Sequence, residues 1–341
     1  MMGTSYLNSA KRLSRIETLT TTGLIASTVL YPAGTVLSTV GYATATDKGQ
    51  GQWTRNGTIG QTINQSPAQL GNTLLNDGNG NQWALVYSGV IDVLKLGADS
   101  TNTTDSYPAF AAARNALSGG GKIYAPVGSY RLDQTLFIDT NGITIYGDGF
   151  RLGDSAATII YGNHTAGPVI HFRKSAIGCN DLNIDSSATR AAQGAGANNI
   201  GLLWEPIDTS SLLLGDGTFK RMCIADQPDS GFVISGGPRR AVVDQIVSLR
   251  CGGHAMAITN GMLTGKTYER DVGIISILNC ESEDCGGHSL AIGDPAGVST
   301  PYRILVKNFE GNSSGHDAAV RYADARLYVR AANVRVVGCA W

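Results

Sequence analysis

The sequence predicts an all-β chain whose larger part, residues 89–341, winds into a right-handed parallel β-helix. Charged residues are only 16% of the 341 while glycine occurs 44 times, a balance that suits short strands and many turns better than long salt-bridged helices. Apolar strand-like runs recur after Val90, among them Pro168-Val169-Ile170-His171-Phe172, Asp181-Leu182-Asn183-Ile184-Asp185, Asn199 to Trp204 and Ile274 to Asn279. Cys251-Gly-Gly-His254, Cys285-Gly-Gly-His288 and Ser313-Ser-Gly-His316 each open an eight-residue segment of one pattern, and their histidines are 34 and 28 residues apart. That self-similarity marks a solenoid with loops of unequal length, its coils about 4.8 Å apart so that equivalent side chains stack. Ser230-Gly231-Phe232-Val233-Ile234 reads as a fainter copy.

Residues 1–22 are polar with little periodicity and read as an arm ordered by a partner. Residues 23–88 alternate short apolar runs with turn chemistry at Pro32-Ala33-Gly34, Asp47-Lys48-Gly49, Asn56-Gly57 and Asn76-Asp77-Gly78-Asn79-Gly80, the pattern of a small β module. Phe110, Ala113, Ala116 and Leu117 fall at helical spacing, with Thr104 or Asp105 as N-cap. A helix over 105–117 would cover the open first coil of the solenoid. The segment from Leu327 to Trp341 reads as strand, so the β-helix is expected to be incomplete at its C-terminal end.

Val90 to Gly149 carries an ordered set of motifs: Leu96-Gly97-Ala98-Asp99, Asp105, Ala109-Phe110, Gly119-Gly120-Gly121, Tyr124 to Tyr130 and Gly147-Asp148-Gly149. It resembles the opening of pectate-lyase-like β-helix proteins. Upstream, Val40-Gly41-Tyr42, Asp47 to Gly51, Trp53 and Asn79 to Trp83 are similar to the small β module that precedes this opening in bacteriophage tailspikes and tail fibres. The resemblance covers roughly 34–149, and the later coils match in style only. It implies a virion tail protein, made in the host cytoplasm, that attaches to phage tail or baseplate proteins through residues 1–88. It also implies a homotrimer that meets bacterial surface polysaccharide along the β-helix.

Composition excludes several other classes. The formal net charge is −1 and the longest basic runs are Lys11-Arg12 and Arg239-Arg240, so a nucleic-acid partner is not expected. No stretch reaches the roughly 18 apolar residues of a membrane span. Leu24 to Leu30 follows Lys11, Arg12 and Arg15 and imitates a signal peptide, yet it is short, broken by Ser27 and Thr28 and followed by Pro32. The six cysteines lie at 179, 223, 251, 280, 285 and 339 without a CxxC pair, which suits free thiols formed in a reducing compartment. No cofactor is expected. The two Cys-x-x-His units invite a zinc reading, but the third copy replaces cysteine with Ser313, so stacked structural His and Cys are preferred and no metal is expected. His254 shares strand parity with Met256 and Ile258, which places it towards the core.

Cutting a glycosidic bond takes two carboxyl groups at about 5–5.5 Å or about 6.5–9.5 Å. Outward residues i and i+2 on a strand lie about 7 Å apart, so Glu281 and Glu283, beside Asp284, are the candidate catalytic group. Asp181 and Asp185 are about 13 Å apart on a strand and could pair only with other coils; Glu205, Asp208, Asp226 and Asp229 lie near Trp204 in loop-like sequence. Trp204, Arg239 and Arg240 are candidate substrate-binding residues, and the basic loop Lys266 to Asp271 or Arg239-Arg240 would serve a lyase. Solvated turn carboxylates, a buried Trp204 and a solvated basic loop are the plainer readings. The expected function is polysaccharide recognition with depolymerisation left open. The alternatives are a non-catalytic connector or carbohydrate-binding spike, and a secreted bacterial polysaccharide lyase or hydrolase.

Overall fold

The structure is a computed structural model and describes residues 19–59, 62–150, 156–187, 199–205, 214–235, 238–259, 273–293, 303–312, 327–329 and 334–340. Asp208, the Lys266–Asp271 loop, the Gly315-His316 copy and most of the N-terminal arm lie outside these residues.

Short helix α1 (Thr21–Ile25) starts at Thr20, whose side chain accepts the Gly23 N–H. Strands β1 (Val36–Ser38), β2 (Gln52–Thr58), β3 (Leu74–Asn76) and β4 (Asn81–Leu85) form one antiparallel sheet in the order β1-β2-β4-β3. Its interior holds Trp53 and Trp83, both fully buried. A buried indole N–H needs an acceptor, and that of Trp83 donates to Asp77 at 2.9 Å. The other Asp77 oxygen accepts the N–H groups of Asn79 and Asn81, which closes the Asp77–Gly80 turn. A one-turn helix, α2 (Pro67–Leu70), starts with a capping box between Ser66 and Gln69.

From β5 (Val90–Asp92) onward the strands are parallel. A 3-10 turn (Val93–Leu96), β6 (Thr101–Asp105) and α3 (Tyr107–Ala116) complete the opening. Helix α3 buries Ala109, Phe110, Ala112 and Ala113, and Phe110 meets Tyr130 of the first coil edge to face at 5.7 Å. It starts at Ser106, not at Thr104 or Asp105. The Asp99 carboxylate gathers the N–H groups of Thr101, Thr103 and Thr104 and holds those residues extended, so the helix begins only after them. Gly97 is required here: its φ is +92°, and a Cβ would lie 2.5 Å from the Tyr42 ring.

Each coil gives one strand to each of three faces. The first face comprises β5, β7 (Gly121–Tyr124), β10 (Ile143–Tyr146), β13 (Ile177–Ser186), β15 (Leu214–Ala225), β17 (Pro238–Leu249), β19 (Ile274–Leu278), β22 (Arg303–Lys307) and β25 (Val334–Val337). The second face comprises β6, β8 (Gly128–Leu132), β11 (Thr158–Gly162), the C-terminal halves of β13, β15 and β17, then β20 (Glu281–Glu283) and β23 (Glu310–Asn312). The third face is the seven-stranded sheet of β9 (Leu136–Ile138), β12 (Ile170–Phe172), β14 (Leu202–Trp204), β16 (Phe232–Ser235), β18 (Met256–Thr259), β21 (Leu290–Ile292) and β24 (Leu327–Val329). Every neighbouring pair in the three faces is parallel.

The corners explain the shape. Asp181, Arg221, Gln245, Asn279 and Asn308 occupy equivalent positions in successive coils between the first and second faces, and all have φ between 51° and 57°. One left-handed residue reverses the side-chain alternation and bends the strand without ending it. Asn308 donates to Asn279 at 3.0 Å and Asn279 to Asp244 at 2.9 Å, so polar side chains climb the corner in step with the backbone. Inside run stacked apolar columns such as Ile145, Cys179, Phe219, Val243, Ile277 and Val306, all fully buried. The third face is covered on both sides: its outward Leu203, Val233, Ala257 and Ala291 form a second buried cluster with Ile200.

Candidate functional site: a carboxylate strip at the corner of the second face

The outward positions of the second face form two columns along the helix axis. One carries Arg131, Tyr161, Asp185, Ala225, Leu249 and Glu283; the other carries Ser129, Ile159, Asn183, Cys223, Val247, Glu281 and Glu310. Just beyond the first column, Asp226, Arg250 and Asp284 stack at a second left-handed corner, with φ of 53°, 50° and 53°. The columns and the corner together make one strip rich in carboxylates, with Arg250 set between Asp226 and Asp284.

Asp185 stands beside Ala225, and Asp226 follows on the next coil, which puts their Cα atoms about 6 Å apart from the coil spacing and the rise per residue. Their settings differ. Burial pushes Asp185 up to about 6, and the Asp226 charge adds to that while Arg250 opposes it. Asp226 is ion-paired with Arg250, whose Nη2 donates at 2.6 Å and whose Nε donates at 2.7 Å. Burial at Asp185 has a visible cause: the neighbouring outward residues Asn183, Cys223 and Ala225 are themselves covered. Tyr161, one coil earlier, keeps its phenol protonated through burial and the two nearby aspartates. The backbones are braced to each other, because Ser186 Oγ donates to Gln227 Oε1 at 2.9 Å and Gln227 Nε2 donates to the Ala225 carbonyl at 2.7 Å. A carboxyl raised by burial beside a carboxylate held by a cation is a division of roles that acid–base chemistry uses.

Glu281 and Glu283 lie two coils further along the same strip. Their segment is extended, so their spacing is the i, i+2 distance of about 7 Å. Burial and the charges of Glu310 and Glu283 raise Glu281. Among the described residues neither glutamate has a side-chain hydrogen bond or ion pair, and Asp284 sits at the corner above Arg250, which is committed to Asp226. Asp181 is bound to Arg221 at the other corner, and Glu205 is 1% exposed. Asp229, raised by burial, accepts the Ser230 hydroxyl at 3.2 Å.

Trp204 is corrected. It is fully buried, packs against Phe219 at 5.6 Å and donates its indole N–H to the Lys174 carbonyl at 3.0 Å, so no ring face is open to a sugar. Strand alternation explains this, since Leu202 and Trp204 share the inward parity. Asn183, although it occupies an outward position of the second face, is also buried. Arg239 and Arg240 are exposed on the first face, and Arg239 pairs with Asp216 at 3.4 Å. They stand seven residues upstream of the strip on β17 and across a corner, so they do not join Glu281 and Glu283. Arg250 and Tyr161 were not singled out by sequence; only the register of successive coils brings them to Asp185 and Asp226.

No metal-binding group of three or more His, Cys, Asp or Glu side chains occurs among the described residues. All six cysteines are free thiols. No helix among the described residues is long and apolar enough to cross a membrane.

No protein-family model matches the chain, and no curated protein sequence matches it. Solved structures do. The enzymatically active domain of tailspike protein 2 from bacteriophage CBA120 superposes with a TM-score of 0.52 at 17% identity, over 98% of this chain and 54% of that one. WceF of Pantoea stewartii, described as a glycan biofilm modifying enzyme with a tailspike-like parallel β-helix fold, gives 0.55 at 14% identity over 95% and 48%. Tailspike gp49 of Acinetobacter baumannii bacteriophage Fri1, a capsular polysaccharide depolymerase, gives 0.53 at 12% identity over 95% and 62%. The chain therefore has the parallel β-helix fold seen in phage tailspikes. It spans about half to three-fifths of the length of these three proteins.

Proposed function

We propose that this protein is a phage tailspike that cleaves a bacterial surface polysaccharide by hydrolysis, with Asp185 as general acid and Asp226 as the second carboxylate. The observation that carries the reading is the contrast between Asp185, pushed up to about 6, and Asp226, ion-paired with Arg250 on the coils that follow. As the glycosidic bond breaks, the Asp185 proton passes to the leaving oxygen, while a water molecule adds to the anomeric carbon and gives its proton to Asp226. Arg250 holds Asp226 in a two-point ion pair, and the Ser186–Gln227 hydrogen bond ties together the two strands that carry the carboxyl groups. Glu281 and Glu283 extend the same strip and contact sugars further along the chain. Residues 1–88 attach the protein to the tail, and three copies assemble about the tail axis. Free thiols fit synthesis in a reducing host cytoplasm.

Incubation with purified capsule or lipopolysaccharide, followed by assays for new reducing ends and for unsaturated uronates, tests the reading. Hydrolysis yields reducing ends without unsaturation, and Asp185→Asn or Asp226→Asn lowers the rate by roughly 10²–10⁴ with the thermal midpoint retained. Unsaturated product would identify a lyase. Binding without product would identify a non-catalytic spike, and neither binding nor product a connector.

A further inference from the structure

The first face changes character along its length. Over its last coils four cations point outward and are exposed: Arg240, Arg303, Lys307 and Arg335. Among the described residues none of the four has an ion-pair partner. Arg239, beside them, is already paired with Asp216. Register fixes their arrangement. Arg240, Ile274 and Arg303 follow one another in one outward column, Leu305 and Arg335 in the next, and Lys307 in the third. From Arg240 to Arg335 the array climbs three coils, about 14 Å. Between Arg303 and Arg335 lies a groove of about 470 Å³ lined by Ile274, Ile304, Leu305 and Val334. Ile274 is 50% exposed there, a large apolar surface to leave beside exposed guanidinium groups. The chain as a whole carries a net charge of −1, and the second face around the corner is acidic, so this basic array is local.

We infer that this groove is a second polysaccharide subsite, remote from the carboxylate strip, that selects an acidic glycan. It rests on the reading of the protein as a carbohydrate-facing spike and specifies the charge of what that spike holds. Guanidinium groups bind carboxylates through two parallel N–H donors, and an unpaired exposed Arg loses little solvation in doing so. The apolar floor of Ile274 and Leu305 takes the carbon face of the sugar ring, and the volume falls in the range of small-ligand clefts. Cations spread over three coils suit a chain of repeated acidic units rather than one small anion. A neutral glycan would leave all four charges uncompensated.

The test uses the full chain carrying Asp185→Asn, so that turnover does not consume the ligand, with polygalacturonate as the acidic probe and dextran as the neutral one. Binding to polygalacturonate that weakens with added salt, no binding to dextran, and at least tenfold weaker binding by Arg303→Ala/Arg335→Ala support the subsite. Lys122→Ala, which removes an exposed cation of the same face far from the groove, leaves binding unchanged. No binding to polygalacturonate, equal binding to both probes, or a double variant that binds like its parent would overturn it. So would a fall in oligomer size on sedimentation of the double variant, which would assign the groove to a second copy of the chain. Because no product is measured, the subsite can fail while the proposed hydrolysis stands, and the reverse.

Discussion

The imidazole rings of His254 and His288 lie parallel, 5.0 Å apart and within 6°, and the His288 backbone N–H donates to Nδ1 of His254 at 3.0 Å. Two copies of the Cys-Gly-Gly-His repeat are thus successive rungs of one corner, and Ser230 supplies the rung before them, its hydroxyl accepting the His254 N–H at 3.3 Å. His254 is half-buried at this turn rather than in the core proper. It accepts a hydrogen bond at Nδ1, so the ring is neutral there, and burial together with His288 lowers it to about 4.

Stability should therefore fall in mild acid. His171, lowered to about 4 by burial and by Arg173, behaves in the same way. A histidine whose folded pKa is depressed contributes stability that is full above its unfolded value near 6.5 and is lost as pH falls towards 4. Thermal melts between pH 7 and pH 4 should show the midpoint dropping, and His254→Asn should lose a few °C less than the parent over that range. An equal drop in the variant would remove His254 from the account.

Gln245 holds a left-handed backbone at its corner, at φ 56°. Asparagine tolerates the left-handed region better. Gln245→Asn is expected to stabilise by about 0.5–1 kcal/mol, read as a shift in the denaturant midpoint. No shift, or a loss, would show that the corner is not strained at Gln245.

Trp204 separates packing from recognition. Trp204→Ala should cost about 3–5 kcal/mol in stability, as for other large buried side chains. An unchanged midpoint with weakened glycan binding would restore it as a sugar platform.

Much of the architecture was legible because a solenoid writes itself repeatedly in the chain. The 34-residue step between His254 and His288 and the helix over the first coil follow from local periodicity, and Leu182 and Ile184, in one of the expected strand runs, are fully buried. The candidate site was legible only in fragments. Asp185 and Asp226 are separated by 41 positions in sequence, and strand spacing alone gave Asp185 no partner within its own coil. What joins them is the register of Ile184 against Ile224, which no local pattern encodes. Arg250 was invisible for the same reason: its role depends on the left-handed turns at 226 and 250 stacking in step. The start of the capping helix was displaced because the Asp99 side chain organises the threonines before it, a contact that competes with helix formation.

The pH dependence of polysaccharide cleavage tests the central claim most directly. With Asp185 as the general acid, reducing-end release at saturating substrate should decline as pH rises through about 6, where its proton is lost; Asp185→Asn should lower that release by roughly 10²–10⁴ while the protein stays folded. A folded Asp185→Asn protein that cleaves at the parent rate, with Glu281→Gln/Glu283→Gln inactive instead, would contradict the assignment and move the chemistry two coils along the strip.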